Sequence, residues 1–593
     1  MCGIIGHCVE RRFADSADIL FQKHLKKMHY RGPDFSTNKS HYLNNYKINF
    51  GFNRLSIQDL SPTSNKIFCD ENHILIFNGE IYNKLELKNK HITDVVLQTT
   101  TDTEILFELL KKFSITKIDE IEGIFAFAFL NLKTNKIYLS RDRTGVKTLY
   151  YFKDISNFYF CSEAWYLYDL SSKKEIDFSA LNFYLRFGFN DIKKNIFKNI
   201  LKVLPGTYLE YNIMTKSIFE KRFFKKKNNL HLNIDMKQLE YNVIKSIEYN
   251  LLSDVKIGTF LSGGVDSSII SIIAKQKTNI ESFTNYYDDP IYNKKNSDIF
   301  FSEYLSKYLN INLKKNFVTF NKDSNEIFKK SLEYFDEPLA NLNIFNSFIQ
   351  SKLAKEFGYK VILTGDGGDE IFGGYDKYRN MKIATDFKFL SFISKKIFDY
   401  NNVKKNEIPY FFFKKLNTDF IKYLFKNEIS SEIIASNSHL YESKLNSKNS
   451  ISNEFDLDIW MISDHNYKLD RTTMAHSIEG RVPFQTKLLI ENYSHIDVNK
   501  KINYVKTKTQ LRNLSFLPAN IKRRKKQGWF LPENWFVTNF IKQELFDIIS
   551  DDTIFFNKEN IYKLFDRKYF KKLPKYEIIT IFMFAYWIRK IKF

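Results

Sequence analysis

The 593-residue chain predicts two α/β domains in series, a mixed α+β one at the N-terminus and one built on a parallel sheet behind it. Three observations carry this expectation. The chain is too long for one hydrophobic core. Its first 211 or so residues read as short strands with few helices. Twice in the second half, a short apolar strand runs directly into a glycine-rich loop.

The strand candidates of the first half are Gly3–Cys8, Ile48–Ile57, Ile74–Phe77, Ile124–Leu130, Ile137–Ser140, Leu149–Phe152 and Phe158–Cys161. Several alternate or concentrate β-branched and aromatic side chains, and Asn, Gly and Lys turns separate them. Thr101-Asp102-Thr103-Glu104 has the form of a capping box, which opens a helix from Asp102 to Lys112. The polar stretch Lys221 to Asn233 reads as a linker, so the expected division is 2–215, a linker over 216–235, and 236–593. In the second domain Ile257–Leu261 is a buried strand candidate. Ser262-Gly263-Gly264-Val265-Asp266-Ser267-Ser268 follows it, and then an apolar helix from Ile269 to Lys275. Val361–Thr364 is a second such strand, entering Gly365-Asp366-Gly367-Gly368-Asp369-Glu370.

Composition excludes several classes. Hydrophobic residues make up 44%, enough for two cores, yet no apolar run reaches the roughly 20 residues of a membrane span. Polar and charged residues from His7 to Arg12 do not make a signal peptide. Four cysteines (Cys2, Cys8, Cys69, Cys161) in so long a chain point to a reducing cytoplasm, and their spacing fits no zinc site. The balance of 90 Lys+Arg against 68 Asp+Glu gives a formal charge of +22. Nucleic-acid binding would use such a charge, but the basic runs are short and scattered. The abundance of Lys, Asn, Ile, Phe and Tyr reads instead as codon bias.

Candidate chemistry begins at Cys2. Trimming of Met1 would place its thiol beside a free α-amine, whose pKa near 8 lets part of it accept a proton at neutral pH. Nucleophile and base would then share one residue. Polar groups gather at strand ends behind it: Arg31-Gly32-Pro33-Asp34, Arg54-Leu55-Ser56, Asn78-Gly79-Glu80, Asp102 and Arg141-Asp142-Arg143. Each alone reads equally as a turn, a hairpin or a helix cap. In this order behind Cys2, the set resembles the glutaminase domain of class II glutamine amidotransferases, which belong to the N-terminal nucleophile hydrolases. The resemblance implies a four-layer αββα sandwich in which Cys2 attacks the side-chain amide of glutamine. It implies that Asn78 and Gly79 form the oxyanion hole, that Arg54 pairs with the glutamine carboxylate, and that Glu80 and Asp102 hold its α-amine. Gly51-Phe52-Asn53 departs from the Gly-His that the family usually has before Arg-Leu-Ser.

In the second domain, strand, glycine loop and helix make an anion site, because backbone N–H groups and the helix dipole face a bound phosphate. The loop lacks the G-x-x-x-x-G-K-[ST] pattern. Ser-Gly-Gly-x-Asp-Ser resembles the PP-loop of enzymes that release pyrophosphate from ATP. Asp266 and Asp369, at the ends of parallel strands, are candidate carboxylates for Mg²⁺. With Lys468-Leu469-Asp470-Arg471, Met474 to Phe484, Lys508 to Arg512 and Arg524 to Trp529, the pattern is similar to glutamine-dependent asparagine synthetases across nearly the whole chain. That implies adenylation of a carboxylate, followed by attack of ammonia that has travelled internally from Cys2. It implies that Leu261, Ser262, Gly263, Gly264, Asp266, Ser267, Asn285, Thr364 and Gly365 line the nucleotide. Lys526 would steady developing charge, and Asp366 and Glu370 would face the acceptor. The substrates would be glutamine and aspartate, with a homodimer left open. Gln485-Thr486 and Leu313-Lys314-Lys315 depart from the family pattern in the half that selects the acceptor. Another carboxylate, such as a uronic acid, therefore stays an alternative to aspartate; a tRNA-modifying PP-loop enzyme is a more remote one.

Overall fold

The structure is a computed structural model, and it describes residues 2–224, 232–287, 297–386, 416–436, 453–526, 537–551, 554–564 and 575–591. The run Lys225–Lys227 and the stretch Gln527–Trp535 lie outside the described residues, as do 387–415 and 437–450, parts of a stretch over 381–450 whose aromatic and basic sequence reads as helical.

The first half is a sandwich of two six-stranded antiparallel sheets with helices on both outer faces, as the resemblance implies. One sheet has the order β10-β8-β9-β1-β3-β2, the other β12-β11-β7-β6-β5-β4. In the first, β1 is Gly3–Glu10, β2 Phe35–Leu43, β3 Tyr46–Arg54, β8 Tyr150–Lys153, β9 Phe158–Cys161 and β10 Ile200–Lys202. In the second, β4 is Phe68–Cys69, β5 His73–Ile81, β6 Gly123–Asn131, β7 Lys136–Arg141, β11 Thr207–Asn212 and β12 Ile218–Arg222. Alternation along the strands builds the layers. On β1, Ile4 and Cys8 face inward, where they meet Ile76, Ala126 and Leu139 of the other sheet. Ile5 and Val9 face outward, onto Ala17 and Phe21 of helix Ala14–Lys27. The far face sends Phe77, Phe125 and Phe127 against Leu106 and Leu110 of helix Asp102–Phe113.

Two local readings need correction. The Thr101 hydroxyl caps that helix by accepting from the N–H of Glu104. The Glu104 carboxylate, however, turns to the N–H groups of Gln98 and Thr99, so only half of the capping box forms. Residues 218–222, read as linker, form the edge strand β12, paired to β11.

The second half carries a five-stranded parallel sheet of order β15-β14-β13-β16-β17. Here β13 is Ile257–Phe260, β14 Glu281–Tyr287, β15 Asn312–Val318, β16 Val361–Leu363 and β17 Glu479–Arg481. The chain leaves β13 toward β14 on one side, and β16 later docks on the other. That reversal creates a crevice above the carboxyl ends of β13 and β16, where open α/β sheets bind ligands. Both glycine loops open there. None of the described helices is long and apolar enough to cross a membrane.

The halves share one core. Helix Phe178–Phe187 buries Phe183, Tyr184 and Phe187 among Ile421, Phe425, Phe582, Phe584 and Trp587 of the second half. Between the halves runs a buried ionic cluster. Arg31 makes a two-pronged bond to Asp470 at 3.0 and 2.8 Å. Arg471 grips Asp336 at 2.9 and 2.8 Å. Asp336 also accepts from the Tyr467 hydroxyl at 2.7 Å and the Ala164 N–H at 2.6 Å. Removing one member of such a pair strands a buried charge. Asp336→Ala should therefore cost about 3–5 kcal/mol, read as a lowered denaturant midpoint.

Candidate active sites

Cys2 lies at the head of β1, buried at 8% exposure. Its backbone N–H donates to Asn78 Oδ1 at 2.8 Å. That bond fixes the orientation of the Asn78 amide. Asn78 Nδ2 is buried and has no hydrogen-bond partner, a donor held ready beside the thiol. Gly79 follows with φ of +155°, and a Cβ there would lie 2.1 Å from the Ile124 carbonyl of β6. Only glycine lets β5 pass so close to its neighbour at this point. Burial pushes the Cys2 thiol up, while the chain's amino terminus, the Leu55 N–H and Arg54 pull against it.

The groups expected around glutamine gather at the ends of β3 and β5. Asp102 is buried and accepts from the Ile81 N–H at 2.8 Å. Burial, with Glu479 and Asp102 close by, pushes the Glu80 carboxyl up to about 8, against the pull of Arg481. The Arg54 guanidinium is tied to Asn65 Oδ1 at 2.5 Å and to the carbonyls of Gln58 and Asp59 at 3.0 and 2.7 Å. It thus braces the loop that closes this corner. The second half contributes here too. Arg481 of β17 lies 3.4 Å from Glu80 and bonds Glu479 at 2.5 Å. Burial alone would raise Glu479, but the amino terminus and Arg481 hold it at about 2. Glu479 and Arg481 enter the sequence pattern only as part of the run Met474 to Phe484, and nothing in the sequence joins them to Glu80, about 400 positions away.

The crevice above the parallel sheet is a cavity of about 370 Å³. Ser262, Gly264, Asp266, Ser267, Thr364, Gly365, Asp366, Asp369, Glu370 and Lys526 line it, so most of the expected nucleotide and acceptor residues meet there. Leu261, Gly263 and Asn285 do not line it. Leu261 is buried against Phe283 and Ser302. Gly263, at φ of +67°, turns the loop tightly against Phe301. Asn285 bonds the Asn346 carbonyl at 3.1 Å.

Charge divides the cavity into two ends. At one, Lys508 Nζ bonds Asp266 Oδ2 and lies 2.6 Å from Asp369 Oδ1, which Lys526 also contacts. Burial raises Asp266; burial would raise Asp369 as well, but Lys508 and Lys526 hold it well below the usual range. Asp266 Oδ1 keeps no hydrogen-bond partner. Two hard carboxylates sharing a cation, one with a spare oxygen aimed at the loop, are a donor set that fits Mg²⁺ together with phosphate oxygens. Arg524 anchors the loop by donating to the Ser262 carbonyl at 2.8 Å.

At the other end, His465 lies 3.6 Å from Asp366 and 3.7 Å from Glu370. Burial would lower the imidazole, but the two carboxylates raise it. Burial would likewise raise Asp366, yet His465, Lys468 and Thr364 keep it low. His465 belongs to Asp456–Asn466, which winds as a π-helix, and there Trp460 stacks edge-on against the imidazole at 4.7 Å. Such wide turns recur at functional sites. Neither His465 nor Lys508 carries a local sequence signal; only the tertiary fold brings them to the loops.

The family model described as asparagine synthase matches residues 238–589, and one described as a glutamine amidotransferase domain matches residues 1–224. Asparagine synthetase (glutamine-hydrolyzing) 1 of Bacillus subtilis is 27% identical over 99% of this chain and 96% of its own length. A putative asparagine synthetase (glutamine-hydrolyzing) 2 of Methanocaldococcus jannaschii is 30% identical over 67% of this chain and 81% of its own. A putative asparagine synthetase of Mycobacterium bovis is 25% identical over 88% and 85%.

Proposed function

Because the chain belongs to the asparagine synthase family, an ATP-dependent and glutamine-hydrolysing ligase family, we propose that it amidates aspartate with nitrogen taken from glutamine. The observation that carries this reading is the Asn78 amide, pinned at its oxygen by Cys2 and left with a free donor beside the thiol. We divide the chain between residue 224 and the helix that starts at Met236, and we assign it to a reducing cytoplasm on its four free cysteines.

With Met1 removed, the Cys2 amine takes the thiol proton as the sulfur attacks the side-chain carbonyl of glutamine. Asn78 Nδ2 and the Gly79 N–H hold the developing oxyanion, and each such donor contributes about 3–4 kcal/mol. The Cys2 ammonium returns that proton to the departing nitrogen, so ammonia leaves and a thioester remains, which water cleaves to glutamate and free thiol. We assign the α-ammonium to Glu80 and Asp102, and the α-carboxylate to Arg54, which also braces the loop at this corner. In the second half an oxygen of the acceptor carboxylate attacks the α-phosphorus of ATP and expels pyrophosphate. Ammonia then attacks the acyl carbon, and AMP leaves with the bonding pair. Asp266 and Asp369 would hold Mg²⁺, which when bound neutralises phosphate charge. Lys508 and Lys526 meet the same charge from the protein side. Asp366 and Glu370 suit an acceptor that carries an ammonium near its carboxylate, as aspartate does and a uronic acid does not.

ATP–pyrophosphate exchange tests the acceptor. Exchange is expected with aspartate; exchange with uronic acids alone would refute aspartate and keep the mechanism.

The Glu80 carboxyl gives a pH prediction. It keeps its proton to about pH 8, and the ionised form binds ammonium better. The KM for glutamine should therefore fall as pH rises toward about 8.5, and Glu80→Gln should flatten that profile. The same raised carboxyl makes the fold lose stability between the ordinary carboxylate range and pH 8, where the unfolded chain has already released the proton.

A further inference from the structure

Helix Tyr467–Met474 touches both catalytic centres. All eight of its residues are buried. Lys468 and Leu469 line the nucleotide cavity. Leu469 also packs with Tyr82, Ile124 and Val146 of the first half, one residue beyond β5 in the case of Tyr82. The next residue, Asp470, receives both prongs of Arg31, and both side chains are at 0% exposure. Arg31 Nε in turn points at the Cys2 carbonyl, 3.4 Å away. Leu469, Asp470 and Arg31, each buried, therefore link the nucleotide cavity to the backbone of the nucleophile.

Stability does not explain such a pair. A buried salt bridge is often no more stable than apolar residues of the same volume, whereas it fixes a registry. A close-packed helix also transmits displacement rather than absorbing it. Whatever shifts Lys468 and Leu469 on filling the cavity shifts Asp470 with them.

We propose that Arg31 and Asp470 are positioning residues that set the backbone of Cys2 according to the occupancy of the nucleotide cavity. They join two segments, Arg31-Gly32-Pro33-Asp34 and Lys468-Leu469-Asp470-Arg471, and the reaction itself gives neither Arg31 nor Asp470 a role. The inference rests on the proposed reaction but concerns only the link between its halves.

The full-length enzyme tests it. Glutamine hydrolysis is measured with and without ATP plus aspartate, together with the ratio of glutamate to asparagine formed, ammonia-dependent synthesis and thermal midpoint. In the wild type, ATP plus aspartate should change kcat/KM for glutamine by about tenfold, within the usual range of site–site coupling. Asp470→Asn keeps the shape and drops the charge. It should abolish that response and raise the glutamate-to-asparagine ratio, with ammonia-dependent synthesis retained. Arg31→Lys keeps the charge but not the fork, so it should show the same uncoupling if Asp470→Asn fails to fold. A wild type indifferent to ATP plus aspartate, or a folded Arg31→Lys enzyme that keeps the full response, overturns the proposal. Absence of ammonia-dependent synthesis in the wild type would instead refute the proposed reaction.

Discussion

Cys2→Ala abolishes glutamine-dependent amide formation, by at least about a thousandfold, and leaves synthesis from added ammonium salt intact: this is the largest effect expected. Removing a nucleophile outright commonly costs several orders of magnitude because no neighbour can form the covalent intermediate. The surroundings do not replace it. Cys8, farther along β1 in the inter-sheet core, and Cys161, in the helix-covered outer core, are both fully buried, and burial pushes both thiols far up. Alanine removes only sulfur, and the Cys2 N–H to Asn78 bond belongs to the backbone, so the fold should hold. Parallel assays with glutamine and with ammonium at alkaline pH read the split. Loss of both activities in a folded variant would contradict two separable centres.

Asp369→Asn is expected to remove ATP–pyrophosphate exchange by about a thousandfold or more while glutamine hydrolysis persists, since charge placed on a reacting phosphate carries much of such catalysis. Asp369 is the shared anion of Lys508 and Lys526. An amide there cancels one charge and turns an N–H₂ donor toward two ammonium groups. Lys508, at 5% side-chain exposure, would be left with Asp266 alone. Asp266→Asn should behave alike, with a smaller structural penalty because Asp266 pairs with Lys508 alone whereas Asp369 pairs with both Lys508 and Lys526. Exchange assays and glutamate release measured on one preparation decide the matter; full exchange in Asp369→Asn would remove Asp369 from the nucleotide site.

Much of the architecture was readable because alternation and local chemistry act over a few residues. β1 and β6 run one or two residues past their expected ends in the same frame, and β5 runs four residues past Phe77 to Ile81. The two glycine loops stand at the strand ends where the pattern puts them. What stayed hidden is long-range. β12 is exposed along Ile218–Arg222 and so shows no buried face to recognise. Leu55–Ile57 was read as strand continuing from β3, yet it leaves the ladder after Arg54 because Arg54 braces the turn instead. Lys508, in a left-handed conformation at φ of 53°, reaches two carboxylates 242 and 139 positions away. No local rule anticipates that. Asn285 lies outside the cavity lining for the opposite reason, since an amide satisfied within the sheet resembles a ligand-binding one in sequence.

Helix Phe178–Phe187 belongs to the first half by order and to the second by contact. A truncation ending at residue 224 would therefore uncover Phe183, Tyr184 and Phe187 to water and strip Arg31 of its two-pronged partner Asp470, leaving it only Glu163 at 3.4 Å. Such a fragment would precipitate, or need a chaperone, rather than hydrolyse glutamine on its own. Exchanging halves between homologues would require transplanting this helix with the carboxy-terminal partner that shelters it.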